Sequence, residues 1–247
     1  MSRDRIFALP RSQVGSFTFD ESVVDVFPDM IARSVPGYAS ILSVIEQLAV
    51  RYVQPNSNVY DLGCSLGAAT LLIQRQAPKT ATIHAVDNSA AMIRRLEKTL
   101  TTTPTQSACD VQLHEADIGQ VEICDASLVV LNFTLQFIPA VERSQLLGAV
   151  FDGLRPGGAL LLSEKICFDD DDEQRLLTDL HHDFKRANGY SELEIAQKRA
   201  SLEDTLIPEA LETHTSRLSS AGFRTVVPWF QCFNFVSILA VKSKVDA

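Results

Sequence analysis

The chain is poor in several things that would each define a class of protein. No apolar run approaches the roughly 20 residues needed to cross a bilayer, so no membrane association is expected. The opening stretch MSRDRIFALPRSQ has early arginines but no apolar core and no cleavage site, so it does not read as a secretory signal. The five cysteines, Cys64, Cys109, Cys124, Cys167 and Cys232, are scattered, odd in number and form no C-x-x-C pair. That pattern argues against a disulfide framework and a structural zinc site, and it favours a reducing cytoplasm; no metal is expected. Positive charge is short as well. Lys and Arg total 22 against 31 Asp and Glu, a net charge of −9. A chain so acidic is badly matched to a phosphate backbone, so direct nucleic-acid binding is not expected.

What is present is a core. Hydrophobic residues make up 46% of 247 residues, enough for one large α/β domain spanning 1–247. Residues 1–39 lack a clean period. They carry Phe17, Phe19 and Phe27, and Pro28 and Pro36 are expected to break any long helix, so the segment reads as an irregular, partly helical arm or lid. From Ser40, a plausible N-cap, Ile41, Leu42, Val44, Ile45, Leu48, Ala49 and Tyr52 recur at helical spacing. Strand and helix then alternate. Strands are expected at Asn58–Leu62, Thr82–Asp87, Val111–Glu115, Ala126–Asn132 and Ala159–Ser163. Helices are expected at Ala68–Gln76, Ala90–Leu100 and Glu142–Leu154, the last stopped by Arg155-Pro156-Gly157-Gly158. Alternation of this kind gives a parallel sheet covered on both faces. Residues 165–215 break it with a polar, mostly helical insertion, and Thr225–Phe230 with Cys232–Val241 close the chain as an antiparallel pair.

In an open parallel sheet, ligands bind beyond the carboxyl ends of the strands. The first strand runs into Asp61-Leu62-Gly63-Cys64-Ser65-Leu66-Gly67, where glycine allows backbone to approach a ligand closely. A dinucleotide loop wants G-x-G-x-x-G, and here Ser65 stands at the second glycine. Gly63-Cys64-Ser65-Leu66-Gly67 also spells the nucleophile elbow G-x-S-x-G. That fold places several strands before its serine; the chain before Ser65 reads mainly as helix and irregular segment, and nothing local marks His214 as a triad partner.

The polar strand ends favour a nucleoside. Asp87 closes the second strand, where a carboxylate can accept from a ribose hydroxyl pair. Asp117 follows the third, where it can accept from an adenine amino group beside the Ile118 backbone, and Asn132 ends the fourth. Each alone is an ordinary turn residue. In series, with Leu154-Arg155-Pro156-Gly157-Gly158, they resemble the class I S-adenosylmethionine-dependent methyltransferase fold: Rossmann-like, with a mostly parallel seven-stranded sheet, an antiparallel last strand and a helical insertion before the final strand pair.

Longer stretches are more specific. Val26-Phe27-Pro28-Asp29-Met30, Arg33-Ser34-Val35-Pro36-Gly37-Tyr38, Tyr60–Thr70, Asn132-Phe133-Thr134-Leu135-Gln136-Phe137 and His181–Ser191 resemble the carboxy-S-adenosylmethionine synthase family over nearly the whole chain. The resemblance implies synthesis of carboxy-S-adenosylmethionine from S-adenosylmethionine and prephenate, releasing phenylpyruvate and water. It further implies a homodimer, and a functional link to a tRNA wobble-uridine carboxymethyltransferase that uses the product to make 5-oxyacetyl-uridine. The family's binding residues fall on Tyr38, Gly63, Cys64, Ser65, Asp87, Asn88, Asp117, Ile118, Asn132 and Arg199, with Arg199 reaching the neighbouring subunit's site. An ordinary methyltransferase acting on a small acid, and a non-catalytic S-adenosylmethionine-binding partner of a tRNA-modifying enzyme, are the alternatives.

Other residues carry blander readings. Lys185, Arg186 and Lys198 read as a solvated helix face. His181 and His182, being adjacent on a helix, point to different faces and make a poor metal pair. Asp169–Glu173 reads as an exposed loop or helix start, Trp229 and Phe230 as packing residues, and Cys64 as a small side chain beside a cofactor with no nucleophilic role.

Overall fold

The computed structural model describes residues 2–102 and 109–244. The elements in chain order are α1 (Glu21–Ser34), α2 (Tyr38–Tyr52), β1 (Asn58–Leu62), α3 (Ala68–Gln76), β2 (Thr82–Asp87), α4 (Ala90–Thr102), β3 (Asp110–Glu115), β4 (Ala126–Asn132), α5 (Ala140–Gly153), β5 (Leu154–Cys167), α6 (Asp171–Ala187), α7 (Glu192–Leu202), β6 (Glu209–Ala210), α8 (Leu211–Ala221), β7 (Thr225–Cys232) and β8 (Phe235–Val241). Short 3₁₀ turns follow β3 at Ile118–Gln120 and β4 at Leu135–Phe137.

The strands lie in the order β3-β2-β1-β4-β5-β8-β7. β1 to β5 pair in parallel, and β8 enters antiparallel between β5 and β7. The reversal of strand order between β1 and β4 opens a crevice at their carboxyl ends, the usual ligand position in such sheets. β4 is central and buried on both faces through Ala126–Leu131, which is why its sequence is an unbroken apolar run. Two apolar clusters flank the sheet. Leu62, Leu131, Leu147, Leu162 and Ile238 lie in one, and Ile41, Ile45, Ile73, Leu128 and Leu161 in the other.

The seven expected strands are all present, and the two-residue β6, which pairs with the end of β5, adds an eighth from within the insertion. Four expectations are corrected. Pro28 does not break its helix: α1 runs through it. Asp20 caps α1 by accepting from the Ser22 and Val23 amides, and the buried Val23, Val24, Val26 and Met30 hold it against α4, so packing overrides the lost hydrogen bond. α2 begins at Tyr38, not after Ser40. Its N-cap is Gly37 in the left-handed region (φ 74°), where a Cβ would sit 2.1 Å from the Phe230 ring. α5 ends at Gly153, pressed against the Ile123 carbonyl, so Arg155-Pro156-Gly157-Gly158 belongs to β5. β5 also runs on to Cys167, four residues past the expected end at Ser163.

The insertion is anchored by Arg143, whose side chain is fully buried. Its guanidinium donates to the Ile138 carbonyl (2.9 Å), the Ile207 carbonyl (2.9 Å) and Glu209 (2.6 Å), and Arg217 holds the same carboxylate. Burial works against the charged Glu209, but the hydrogen bonds from Arg217 and Arg143 overrule it and draw the carboxyl down to about 2. Among the described residues no helix is long and apolar enough to cross a membrane.

Arg143→Met should therefore destabilise the protein by about 3 kcal/mol in urea denaturation, because it strands the carbonyls of Ile138, Ile207 and Gln136 and half of a buried ion pair. Glu209 titrates at about 2 when folded and near 4.5 when unfolded. Its contribution is thus complete above pH 4.5 and is lost as pH falls toward 2. The variant should show a shallower loss over that window.

Candidate active site

The glycine turn after β1 does two jobs. The Gly63 and Cys64 amides both donate to the Val86 carbonyl (2.8 and 2.9 Å), tying the turn to β2. Gly63 takes a φ of 81°, and a Cβ there would lie 2.3 Å from Thr134 Oγ1. Only glycine lets β1 and β4 end so close together. Asp61, buried beneath the turn, accepts from the Thr70 amide (3.0 Å) and hydroxyl (2.6 Å) and so fixes the start of α3. Burial pushes it up to about 6 against those bonds.

Asp87 ties the glycine turn to the start of α4. Its two oxygens each accept one backbone amide, from Ser65 and from Ser89 (both 2.9 Å). Each oxygen keeps a lone pair for a further donor, as a vicinal diol would require. Burial raises its carboxyl despite those bonds. Ser65 (φ 48°) stands in the left-handed region to deliver its amide. Asp117 accepts from the Gly119 amide (2.8 Å) through Oδ1 and caps the first 3₁₀ turn, with Ile118 buried beside it. Asn132 lines the cavity, and its carbonyl Oδ1 is buried without a partner. Such an orphan acceptor costs free energy until a donor such as an ammonium reaches it. Tyr38 packs its ring 6.3 Å from that of Phe133, and burial, with the nearby Asp61 charge, raises its hydroxyl.

Tyr38, Gly63, Cys64, Ser65, Asp87, Asn88, Asp117, Ile118 and Asn132 all line one cavity of about 530 Å³. That size suits a nucleoside-bearing ligand. Its roof comes from both sequence-remote segments. The arm contributes Phe17, Phe19 and Phe27, with Phe19 edge-on to Phe137 (5.5 Å) and its carbonyl accepting from Ser89 Oγ (2.6 Å). The insertion contributes His181, Lys185 and Lys198. His181 Nε2 meets the Ser34 carbonyl (2.8 Å), and Lys198 Nζ donates to the Ser34 hydroxyl (3.0 Å). Arg33 closes the junction on the Asn188 carbonyl (2.7 Å) and stacks over the Tyr190 ring (3.9 Å).

Arg199 is not brought in by this fold. It is exposed on α7 and outside the cavity lining of its own chain. Lys185 and Lys198, read from sequence as solvated, are buried at 8% and 7% exposure. Lys165, at the end of β5, joins them in the lining. The signal for Lys165 was available in the rule already applied to the other strands, a polar residue at a strand's carboxyl end. For Lys185 it was the four-residue step from His181, which puts both on one helix face. Arg186 does stay solvated, pairing with Asp183 and Glu192.

The nucleophile elbow has no supporting groups. Ser65 spends its turn on Asp87, and His214 lies outside the cavity lining, with both ring nitrogens buried and unpartnered. Burial pushes the Cys64 thiol up, far from a thiolate. Trp229 and Phe230 pack against the core as expected. Among the described residues no group of three or more His, Cys, Asp or Glu side chains is placed to hold a metal ion.

Residues 59–158 match the family model described as a methyltransferase domain. Among solved structures, human N-acetylserotonin methyltransferase in complex with S-adenosylmethionine superposes with a TM-score of 0.59 at 19% identity, covering 91% of this chain and 56% of that one. A putative S-adenosylmethionine-dependent methyltransferase from Methanococcus maripaludis gives 0.60 at 17% identity, covering 96% and 99%. These show the class I methyltransferase fold. The sequence comparisons are far closer. The carboxy-S-adenosyl-L-methionine synthase of Yersinia enterocolitica is 54% identical over 98% of this chain and 90% of its own length. That of Photobacterium profundum is 54% identical over 97% and 98%. Identity of that depth along nearly the full chain, on a class I methyltransferase fold, means that this protein belongs to the carboxy-S-adenosyl-L-methionine synthase family.

Proposed function

We propose that the protein converts S-adenosylmethionine and prephenate into carboxy-S-adenosylmethionine, phenylpyruvate and water. The observation that carries this reading is the 54% identity to synthases over nearly the whole chain, joined to a cavity with the donors and acceptors that the sulfonium nucleoside requires. Asp87 takes the ribose hydroxyls, Asp117 and the Ile118 backbone take the adenine edge, and the Gly63–Ser65 backbone lies against the sulfonium amino acid. The orphaned Oδ1 of Asn132 accepts from its ammonium.

The chemistry follows from the substrates. The positive sulfur acidifies the methyl carbon bonded to it. Prephenate loses its ring carboxylate as CO₂; the electron pair of the broken bond enters the ring and expels hydroxide, leaving aromatic phenylpyruvate. The hydroxide removes one methyl proton and becomes water. The resulting ylide carbon attacks CO₂, and the new carboxylate stays on the former methyl carbon. The protein's part is to hold the fragments together and keep bulk water out, which the roof of the cavity supports. No strong protein base is required.

The new carboxylate needs a cation. Arg199 is exposed on its own chain, which suits a role in a neighbouring subunit's site within a homodimer. The product is the donor for a tRNA wobble-uridine carboxymethyltransferase, a division of labour that fits a net charge of −9. Five free cysteines agree with a reducing cytoplasm.

Mass spectrometry of the nucleoside after incubation with S-adenosylmethionine and prephenate should show gain of CO₂, with label from the ring carboxylate retained. S-adenosylhomocysteine would mark a methyltransferase instead, and an unchanged nucleoside a binding protein. Asp87→Ala should weaken nucleoside binding in calorimetry by about 10- to 100-fold, the worth of one or two hydrogen bonds to a charged group. Arg199→Leu should leave S-adenosylmethionine binding intact and abolish the preference for the carboxylated form; an unchanged preference removes Arg199 from the site.

A further inference from the structure

The cavity is electrically divided. Its carboxylates are Asp61, Asp87 and Asp117, at the ends of β1 and β2 and in the turn after β3, and Glu142 in the first turn of α5. Its ammonium groups, Lys165, Lys185 and Lys198, come from β5, α6 and α7. Among the described residues none of these three lysines forms an ion pair. Lys198 is partnered by a hydroxyl and Lys185 is 8% exposed. Lys198 feels the buried Asp4 carboxylate, but only like charges act on Lys165 and Lys185; that is costly, and the cost is relieved by a bound anion. Burial, together with the charges of Lys198, Lys165 and Arg199, brings Lys185 down to about 7, and burial lowers Lys165 as well.

Strand order says which ligand this end receives. A nucleoside spread over β3, β2 and β1 brings its sulfonium toward β4 at Asn132, and β5 lies one strand further on. The lysines therefore face the space for the second substrate. That substrate, on the reading above, carries two carboxylates with opposite needs. One departs as CO₂, and an ammonium bonded to it would stabilise the ground state and slow its loss. The other, on the three-carbon side chain, persists unchanged into the product.

We propose that Lys165, Lys185 and Lys198 form the subsite for the persistent side-chain carboxylate of the dianionic co-substrate, leaving the departing ring carboxylate to the apolar wall formed by Phe133, Val35 and Phe235. This proposal rests on the prephenate reading for the identity of the dianion. The charge division then orients the co-substrate: its retained end is held by cations, and its reacting end is directed to the sulfonium carbon. The lysines act as binding and orienting groups, with no proton transfer assigned to them.

Phenylpyruvate tests the assignment, because it keeps the side-chain carboxylate and lacks the ring one. Lys185→Met should raise the KM for prephenate at least tenfold and weaken phenylpyruvate binding in calorimetry by a similar factor. The Kd for S-adenosylmethionine should stay within about threefold. Lys165→Met, at a strand end, should behave alike and serves if Lys185→Met does not fold. Unchanged phenylpyruvate binding in the variants would overturn the proposal, placing the ring carboxylate on the lysines or neither. An equal loss of S-adenosylmethionine affinity would overturn it too, assigning the cluster to the methionine carboxylate. If the wild-type protein binds phenylpyruvate in a lysine-dependent way yet forms no carboxylated nucleoside, the subsite stands and the proposed reaction fails.

Discussion

The roof of the cavity hangs on the carboxyl end of α1. Ser34 receives His181 of α6 on its carbonyl and Lys198 of α7 on its hydroxyl. Its neighbour Arg33 grips Asn188 and Tyr190, and Tyr190 in turn donates to Asp4 (2.5 Å). These bonds join residues more than 140 positions apart and tie the arm directly to the insertion. Burial sets the cost of the arrangement. His181 is held far below its ordinary range, down to about 2, by desolvation and by Lys185, so it stays neutral and serves as a structural ring. The same desolvation that constrains the roof gives the cavity its electrostatic strength, because charges in a water-poor site act over longer distances.

That strength is divided between two ends. The sheet's strand order places carboxylates toward β1, β2 and β3 and an ammonium group at β5, with two more from α6 and α7. A nucleoside sulfonium and a dianion would each meet complementary charge only in one orientation. The fold thus supplies orientation through the sequence of strand ends β3, β2, β1, β4, β5, with each end contributing one polar group to the same crevice. The methyltransferase fold is retained, and its β5, α6 and α7 end adds three lysines to the cavity.

Much of the fold was legible because local pattern and tertiary demand agree there. Ala126–Asn132 is apolar since β4 is buried on both faces, and Asp87 ends β2 where the amides of Ser65 and Ser89 need an acceptor. The misreadings fall where packing outweighs local preference. Pro28 sits inside α1 because the apolar face of that helix is buried against α4. Arg155-Pro156-Gly157-Gly158 looks like a helix stop, yet the stop is Gly153, where backbone presses against Ile123. Lys185 and Lys198 read as solvated because a lysine on a polar helix is ordinarily so. For Lys185 the shared helix face with His181 is a local signal, but α1, which contacts His181 and Lys198 through Ser34, lies more than 140 positions away.

The sequence by itself determined the strand–helix alternation, the glycine turn and the series Asp87, Asp117 and Asn132, since each depends on residues close together in the chain. The tertiary structure alone decided that the arm and the insertion close over that series. It also decided that three lysines line that cavity with no ion pair among the described residues, and that Arg199 lies exposed outside its own chain's cavity lining. Those outcomes depend on side chains more than a hundred residues apart meeting in a low-dielectric space. Periodicity and spacing carry no information about such meetings.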